Sequence, residues 1–575
     1  MVSEVSQIDS ARIDYTDIPA VKGYITLLLN AIEHLSSELN QARELIGRLK
    51  DENARLKGGN PKPEIKPNSK PKQEKEDREK KEKEKEEEQE EKKGEEEEAS
   101  IPALEPRTKL PRRPVPKTED LPIVKIVEIP VDKDTLPADA EYKGVRTISV
   151  PTIEIKVGRI VFRIERYYSK AQNKVYEGKL PEEYQGQKHS PEARAFIIEQ
   201  YFGLGVTENK ILNYLLDKGF PISAGKISDI LIDSDDLEIF HKEKDETHEA
   251  SIAHSPYQQM DDSGARVSGK NQYCSVLCNE FCSLFSINPK KNRLTVIDIL
   301  LGPQELKFLL NDKAVEHLKE KKLPRKYFDP LEQELSEKVF SEKEFGEKID
   351  KLFPKIPGRY RDLIFEAAAI SYYKSLPPEK KIDILVSDDA RQFQDIAEHH
   401  GLCWIHAERH FGKLMPVFKI NQKTLEDFRK AIWDYYQRLK DYKKNPNPYD
   451  KQALLDAFDE LFIANTDYDD LNHRIELTAA NKDKLLVVLD HPCIPLHNNT
   501  SELAERLFVI KRKISIQTRS EKGTKAWETM LSLYDSCRKL NISFSDYVYD
   551  RICRRNKIPR LADLIAERYA RGHPT

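Results

Sequence analysis

CIPLHNNTSELAERLFVIKRKISIQTRS, residues 493–520, decides how the rest of this chain is read. It sets a carboxylate, Glu502, three residues after the Asn498–Asn499 pair, where the pattern reads as a helix start. Lys511, Arg512, Lys513 and Arg519 follow as a cationic strip. A fixed acid beside a basic track suits an enzyme that holds divalent metal against a polyanionic backbone. Such an enzyme needs partner carboxylates upstream.

Two regions supply them. IDILVSDD (382–389) is an apolar strand ending in Asp388 and Asp389, and the helical HAERHFGKLM follows it. Earlier, MDDSGARV (260–267), NQYCSVLCNEFCSLFSI (271–287) and RLTVIDIL (293–300) read as three strand-like runs, the last two joined by the turn NPKKN. Helical insertions fall at about 303–376 and 422–488. Three antiparallel strands, a helical stretch, a strand ending in Asp and a closing helix with Glu is the order of an α/β, ribonuclease-H-like core, placed at 250–530. In that order Asp261, Asp388 and Glu502 are the candidate catalytic and metal-binding acids. Hard carboxylate oxygens on strands and a helix could hold two Mg²⁺ (or Mn²⁺) ions about 3.5–4 Å apart for phosphoryl transfer. Each acid has a rival. Asp262 and Asp389 are strand neighbours that should face the other side, and Glu505 sits one turn from Glu502.

Other constellations carry less. Cys403, His406 and His410 have the spacing of zinc ligands, but no fourth ligand accompanies them, so zinc is not expected. Cys274, Cys278 and Cys282 read as small buried hydrophobes on one strand face. No phosphate loop of the Walker type is present.

The flanks suggest delivery and assembly. Residues 19–57 carry a heptad seam (Leu28, Ile32, Leu35, Leu39, Ala42, Ile46, Leu49, Asn53, Leu56) with Asn53 at an a-type position, which points to a homodimer or higher homo-oligomer. A Gly/Pro/Lys and Lys/Glu linker spans 58–120, and a small β-rich module is expected at 121–188. Three short helices at 190–233 fit a helix-turn-helix unit with Lys226 on the recognition helix. A basic helical region closes the chain at 531–575. Net charge is only -4, yet the last 75 residues hold sixteen basic and nine acidic side chains, an excess suited to nucleic acid. Lys226, Lys511, Arg512, Lys513 and Arg519 are the candidate DNA contacts. The 7 scattered cysteines, the lack of a signal-peptide core and the absence of a long apolar run lead to the expectation of a soluble cytoplasmic protein.

These stretches together resemble the transposases of the bacterial insertion sequence 66 family, of DDE type. MDDSGARVSGKN is similar to the family's first-aspartate motif, with Asp262 and Ser263 where Glu and Thr are usual. LVSDDARQF with CWIHAERHF resembles the second-aspartate motif and the helix after it. PLHNNTSELAER, KRKIS, TRSEKGTKAWE and LNISFSDYVYDRI resemble the third-acid block, with His497 for the usual Asp and Leu503 for the usual Arg. ENARLKGGNPKP resembles the family's N-terminus. The resemblance implies a DNA transposase that binds the terminal repeats of its element, cuts there through Asp261, Asp388 and Glu502 with Mg²⁺, and joins the freed 3′-hydroxyl to target DNA. It also implies a zinc finger ahead of the core, which this chain lacks, since no cysteine precedes Cys274. The alternative is a catalytically inactive, DNA-binding remnant that still dimerises; loss of a core acid would favour it, and all three are present.

Overall fold

The computed structural model describes residues 121–130, 145–153, 155–463 and 465–571, with part of the stretch 23–42. The rest of the heptad region and the linker at 58–120 lie outside the described residues. Contacts divide the chain into two compact units, one made of 106–237 with 537–558, the other of 1–105, 238–536 and 559–575. Among the described residues no helix is long and apolar enough to cross a membrane.

In the first unit, β1 (Arg166–Ser169) and β2 (Lys174–Glu177) form an antiparallel hairpin with Tyr168 opposite Val175. The described residues at 121–130 and 145–165 pair into no strand, so the runs IVKIVEIP, GVRTISV and IEIKVGRIVFRIERYY yield this single hairpin. Three helices follow, α1 (Pro191–Ile198), α2 (Glu208–Asp217) and α3 (Ala224–Ile232). Ser190 and Ser223 start α1 and α3 by accepting from the backbone N–H of Ala193 and Lys226, each satisfying an orphan donor of the first turn. Gly219, at φ 76°, turns the chain between α2 and α3 where a Cβ would be strained. Arg194 is buried and ion-paired to Asp236 at 2.7 Å.

The second unit is built on a sheet. From α4 (Asp235–His254) the chain enters β3 (Gln258–Val267), β4 (Lys270–Cys278) and β5 (Ser283–Asn288), an antiparallel meander. NQYCSVLCNEFCSLFSI is therefore two strands, broken where the Asn279 side chain accepts from the N–H groups of Phe281 and Cys282. Cys274 and Cys278 lie on β4 and Cys282 just before β5, all buried.

RLTVIDIL, expected as the third strand, is instead helix α5 (Arg293–Leu301). Its apolar run has no period that separates a buried strand from a buried helix. The ends decide: Asn292 caps the helix by accepting from Thr295 N–H at 3.0 Å, and Gly302 stops it at φ 60°. A Cβ on Gly302 would lie 2.3 Å from the His248 ring.

The first insertion holds a hairpin, β6 (Lys307–Leu309) with β7 (Val339–Ser341), and helices α6 (Asp312–Glu320), α7 (Phe328–Gln333), α8 (Glu342–Leu352) and α9 (Gly358–Ser375). Its core is aromatic, with Phe308 against Phe345 and Phe365 at 5.1 and 5.2 Å between ring centres. Next, β8 (Ile384–Ser387) returns parallel to β3, and β9 (His399–Leu402) parallel to β8, giving the order β5-β4-β3-β8-β9. Helices α10 (Trp404–Gly412), α11 (Lys419–Lys444), α12 (Pro448–Phe462), α13 (Asp469–Ala479) and α14 (Lys482–Leu485) close a second core around Trp404, whose indole N–H donates to Leu485 O. α15 (Asn499–Ser515) and α16 (Glu521–Lys539) complete the unit's sheet packing.

The sheet edge at β5 is covered by side chains. Glu528, Ser532 and Ser536, four residues apart on α16, accept from the N–H groups of Ile287, Phe285 and Ser283. One face of a helix thus satisfies an edge that would otherwise template foreign strands.

Candidate active site

The site forms where β3 and β8 run side by side. Their ladder pairs Gln258 with Leu385 and Gln259 with Val386. Two residues beyond the Gln259–Val386 pair stand Asp261, within β3, and Asp388, just past the end of β8, so a shared register sends both acids to the same face. Asp261 and Ser263 alternate with Asp262, which faces the other way. There Lys291 Nζ at 3.0 Å and Gln392 Nε2 at 2.7 Å occupy the Asp262 carboxylate. Asp389 is likewise engaged, with His410 Nε2 at 3.3 Å.

The third acid arrives on α15, whose start is fastened to β3. Asn498 is fully buried; its side chain donates to Met260 O at 2.8 Å and its backbone N–H reaches Cys403 Sγ at 3.2 Å. Gln259 Nε2 donates to His497 O at 2.8 Å. Asn498 is therefore a clamp between helix and strand, not a side-chain cap. The clamp sets Glu502 and Glu505, one turn apart, over the Asp261 face. Glu505 is buried and accepts from Ser263 Oγ. Glu502 is more open, and its Oε1 has no hydrogen-bond partner among the described residues. Arg409 and His406 of α10 approach that oxygen at 3.5 and 3.8 Å.

The electrostatics are those of buried, crowded acids. Burial pushes Asp261 up to about 7, opposed by the Asp262 N–H and reinforced by Asp388, Glu502 and Asp262. Burial also raises Asp388, which the Ala390 N–H and then His406 partly offset. Glu505 is raised to about 8, first by burial, against its Ser263 hydrogen bond and with the charges of Asp261 and Asp262. These groups feel one another, so carboxylates from two strands and one helix share one electrostatic neighbourhood. Among the described residues no three acid, imidazole or thiol groups stand close enough for a ready-made metal cage. The donor set still fits a hard cation: among the described residues the Glu502 Oε1 takes no hydrogen bond, only the longer ion pairs to Arg409 and His406, and Asp261 accepts from its neighbour's N–H.

Of the cationic strip, Lys511 is buried, its Nζ 5.5 Å from the centre of the Trp527 ring, so it packs instead of meeting solvent. Arg512 is half-buried beside Gly264, and Lys513 and Arg519 are exposed. The chain leaves α15 through Ile516 at φ 67° and pairs back on β3, with Ser268 N–H donating to Thr518 O at 2.9 Å. That pairing holds Arg519 at the β3–β4 turn. Lys226 lies half-buried on α3 of the other unit. Cys403, His406 and His410 are dispersed to different tasks: the thiol faces Asn498, and the two rings face Glu502 and Asp389.

Sequence reasoning missed the parts played by Asn498, Ser263, His406 and Arg409. The last two were legible as one turn of α10 directly after the strand pair that carries Asp388.

Two comparisons with known proteins bear on the chain. The family model described as "Transposase IS66 family" matches residues 380–526, the segment that carries Asp388, α10 and Glu502. An uncharacterised protein of Sinorhizobium fredii, y4jO, is 33% identical over 318 residues, covering 53% of this chain and 94% of its own length. With a relative of that identity covered almost end to end, and the family model lying on the site segment, the chain belongs to the IS66 family of transposases.

Proposed function

We propose that the protein is a DDE-type DNA transposase whose five-stranded sheet is a ribonuclease-H-like core and whose acids are Asp261, Asp388 and Glu502. The observation that carries this reading is the shared register of Asp261 and Asp388 beneath the clamped start of α15. Those three side chains would hold two Mg²⁺ or Mn²⁺ ions, whose positive charge would offset the mutual repulsion of the acids. When bound, the ions supply charge to the scissile phosphate and sharpen a water or 3′-hydroxyl nucleophile. Glu505, held by Ser263, positions α15 and is not a ligand. Arg409 and His406 orient Glu502, and the exposed Lys513 and Arg519, with Arg512, track the phosphate backbone.

Binding of the element's terminal repeats is assigned to the three helices α1 to α3, with α3 as the recognition helix and Lys226 on it. Homodimerisation is assigned to the heptads. In support, Leu28, Ile32, Leu35 and Leu39 are all exposed, while Asn30 on the same helix is buried and accepts from Asp469 N–H. Strand cleavage and strand transfer would follow as hydrolysis and transesterification at one site. The test is cleavage of a supercoiled plasmid carrying the element's ends. Nicking that needs Mg²⁺ and disappears in Asp388→Ala is expected; equal nicking by both proteins would overturn the assignment.

A further inference from the structure

At the C-terminal end of α15 the chain makes a turn that its sequence does not favour. Ile516 has φ 67° and ψ -57°, and Gln517 N–H donates to Ser515 O at 2.8 Å. That is a γ-turn of the rare, strained form. A β-branched residue at positive φ crowds its own backbone, and glycine is the residue that suits such a turn. Burial does not compensate, because Ile516 is 66% exposed. Both flanks of the turn are fastened, so it cannot relax. Ile516 N–H donates to Arg512 O at 2.7 Å. Beyond the turn, Gly269 N–H donates to Gln517 Oε1 at 2.8 Å, Ser268 N–H to Thr518 O at 2.9 Å and Ser268 Oγ to Arg519 O at 2.9 Å. The result is a rigid apolar tip on the surface, with the exposed cations Lys513 and Arg519 on either side of it in the chain and exposed Lys270 at the start of β4. Strain that the surroundings hold in place, with no burial gained, is typical of a residue that contacts a ligand.

We infer that Ile516 is a wedge that enters the base stack of a DNA duplex whose phosphates meet Lys513 and Arg519. The choice of DNA as occupant rests on the proposed transposase reading and on this charge complementarity. Phosphates on either side seat the duplex, and the apolar tip parts one base step, as Ile and Leu side chains of architectural proteins do. Parting a step works against stacking, so the tip must not fold away when the duplex presses on it. A strained but fastened turn meets that need. At 1.5 Å per residue, Ile516 stands about 21 Å from Glu502 along the axis of α15, the length of about six base pairs. For a duplex that follows α15, the parted step lies that far from the bond at the acids.

The test uses the full-length chain in EDTA with duplexes of the element's end, each carrying a single 2-aminopurine, and fluorescence anisotropy to establish binding. Wild type is expected to raise the 2-aminopurine signal several-fold at one step, about six base pairs from the element's terminal phosphodiester, and little elsewhere. Ile516→Leu, which keeps an apolar tip, is expected to keep the rise. Ile516→Gly is expected to lose it while its Tm equals or exceeds that of wild type, because glycine takes the turn without strain. Loss of the signal without loss of stability separates a wedge from a structural role. An equal rise in Ile516→Gly, a bound wild-type duplex with no rise at any position, or a Tm several degrees lower in Ile516→Gly would overturn the wedge. A wild-type chain that binds no duplex overturns it as well, and a dimer that Ile516→Gly splits would then give the tip to a second copy. None of these readouts needs the acids or Mg²⁺. Distortion of a duplex that the chain never nicks would therefore sink the transposase reading and leave the wedge standing.

Discussion

At Asp261 the fold holds a carboxylate where its charge is costly. Its ordinary value near 4 is raised to about 7 by burial and by Asp388 and Glu502. The sign of the linkage follows. The folded chain binds more protons than the unfolded one between those values, so stability falls as pH rises from about 4 through about 7. Asp261→Asn removes the penalty: in EDTA the excess of its Tm over that of wild type should grow by a few degrees between about pH 5 and about pH 7.5. Calorimetry at the two pH values checks this, and a constant difference would contradict it. Mg²⁺ should raise the wild-type Tm at pH 7.5 and leave Asp261→Asn nearly unmoved. The three acids could be proposed from the sequence as a set, with Asp261 on the first strand, Asp388 at the end of an apolar strand and Glu502 on the closing helix. What could not be read was which neighbour is occupied. Nothing local shows that Lys291 and Gln392 hold Asp262 or that Ser263 holds Glu505, since these partners meet only in the folded sheet.

Elements explain both the success and the miss. β3, β4 and β8 were readable as strands because they alternate or run apolar between clear turns, whereas β9 (His399–Leu402) carried no such signal. RLTVIDIL misleads because the residues that decide it, Asn292 and Gly302, lie just outside the apolar run. The cationic strip reads as one surface in the sequence, but helical geometry turns Lys511 inward onto Trp527 while Lys513 and Arg519 face solvent. Replacing both Lys513 and Arg519 with Gln should therefore lower the slope of log K for DNA against log salt by about 2, near 0.9 for each phosphate no longer neutralised. Lys511→Gln should leave the slope unchanged and lower the Tm. Equal slopes in all three proteins would remove the strip from the DNA path. On the covered edge, Ser532→Ala leaves the Phe285 N–H without its acceptor at 2.8 Å. The expected cost is about 1–3 kcal/mol, read from denaturant midpoints.

The whole molecule joins a cluster of buried acids, basic residues beside it, and a partly exposed heptad helix at the start of the chain. If that helix pairs two copies, Leu28→Asp with Leu35→Asp should convert a dimer of 66.6 kDa chains into monomers by light scattering, without changing the Tm of the core. A monomeric wild type would contradict it. The central claim, that Asp261, Asp388 and Glu502 act together while Glu505 only positions α15, is tested most directly by cleavage rates on DNA carrying the element's ends. Asp261→Asn, Asp388→Asn and Glu502→Gln should each lose about a thousandfold, the equivalent of several kcal/mol of transition-state stabilisation, while Glu505→Gln keeps Mg²⁺-dependent cleavage within about tenfold of wild type. Wild-type rates in any of the first three, or a thousandfold loss confined to Glu505→Gln, would contradict the account.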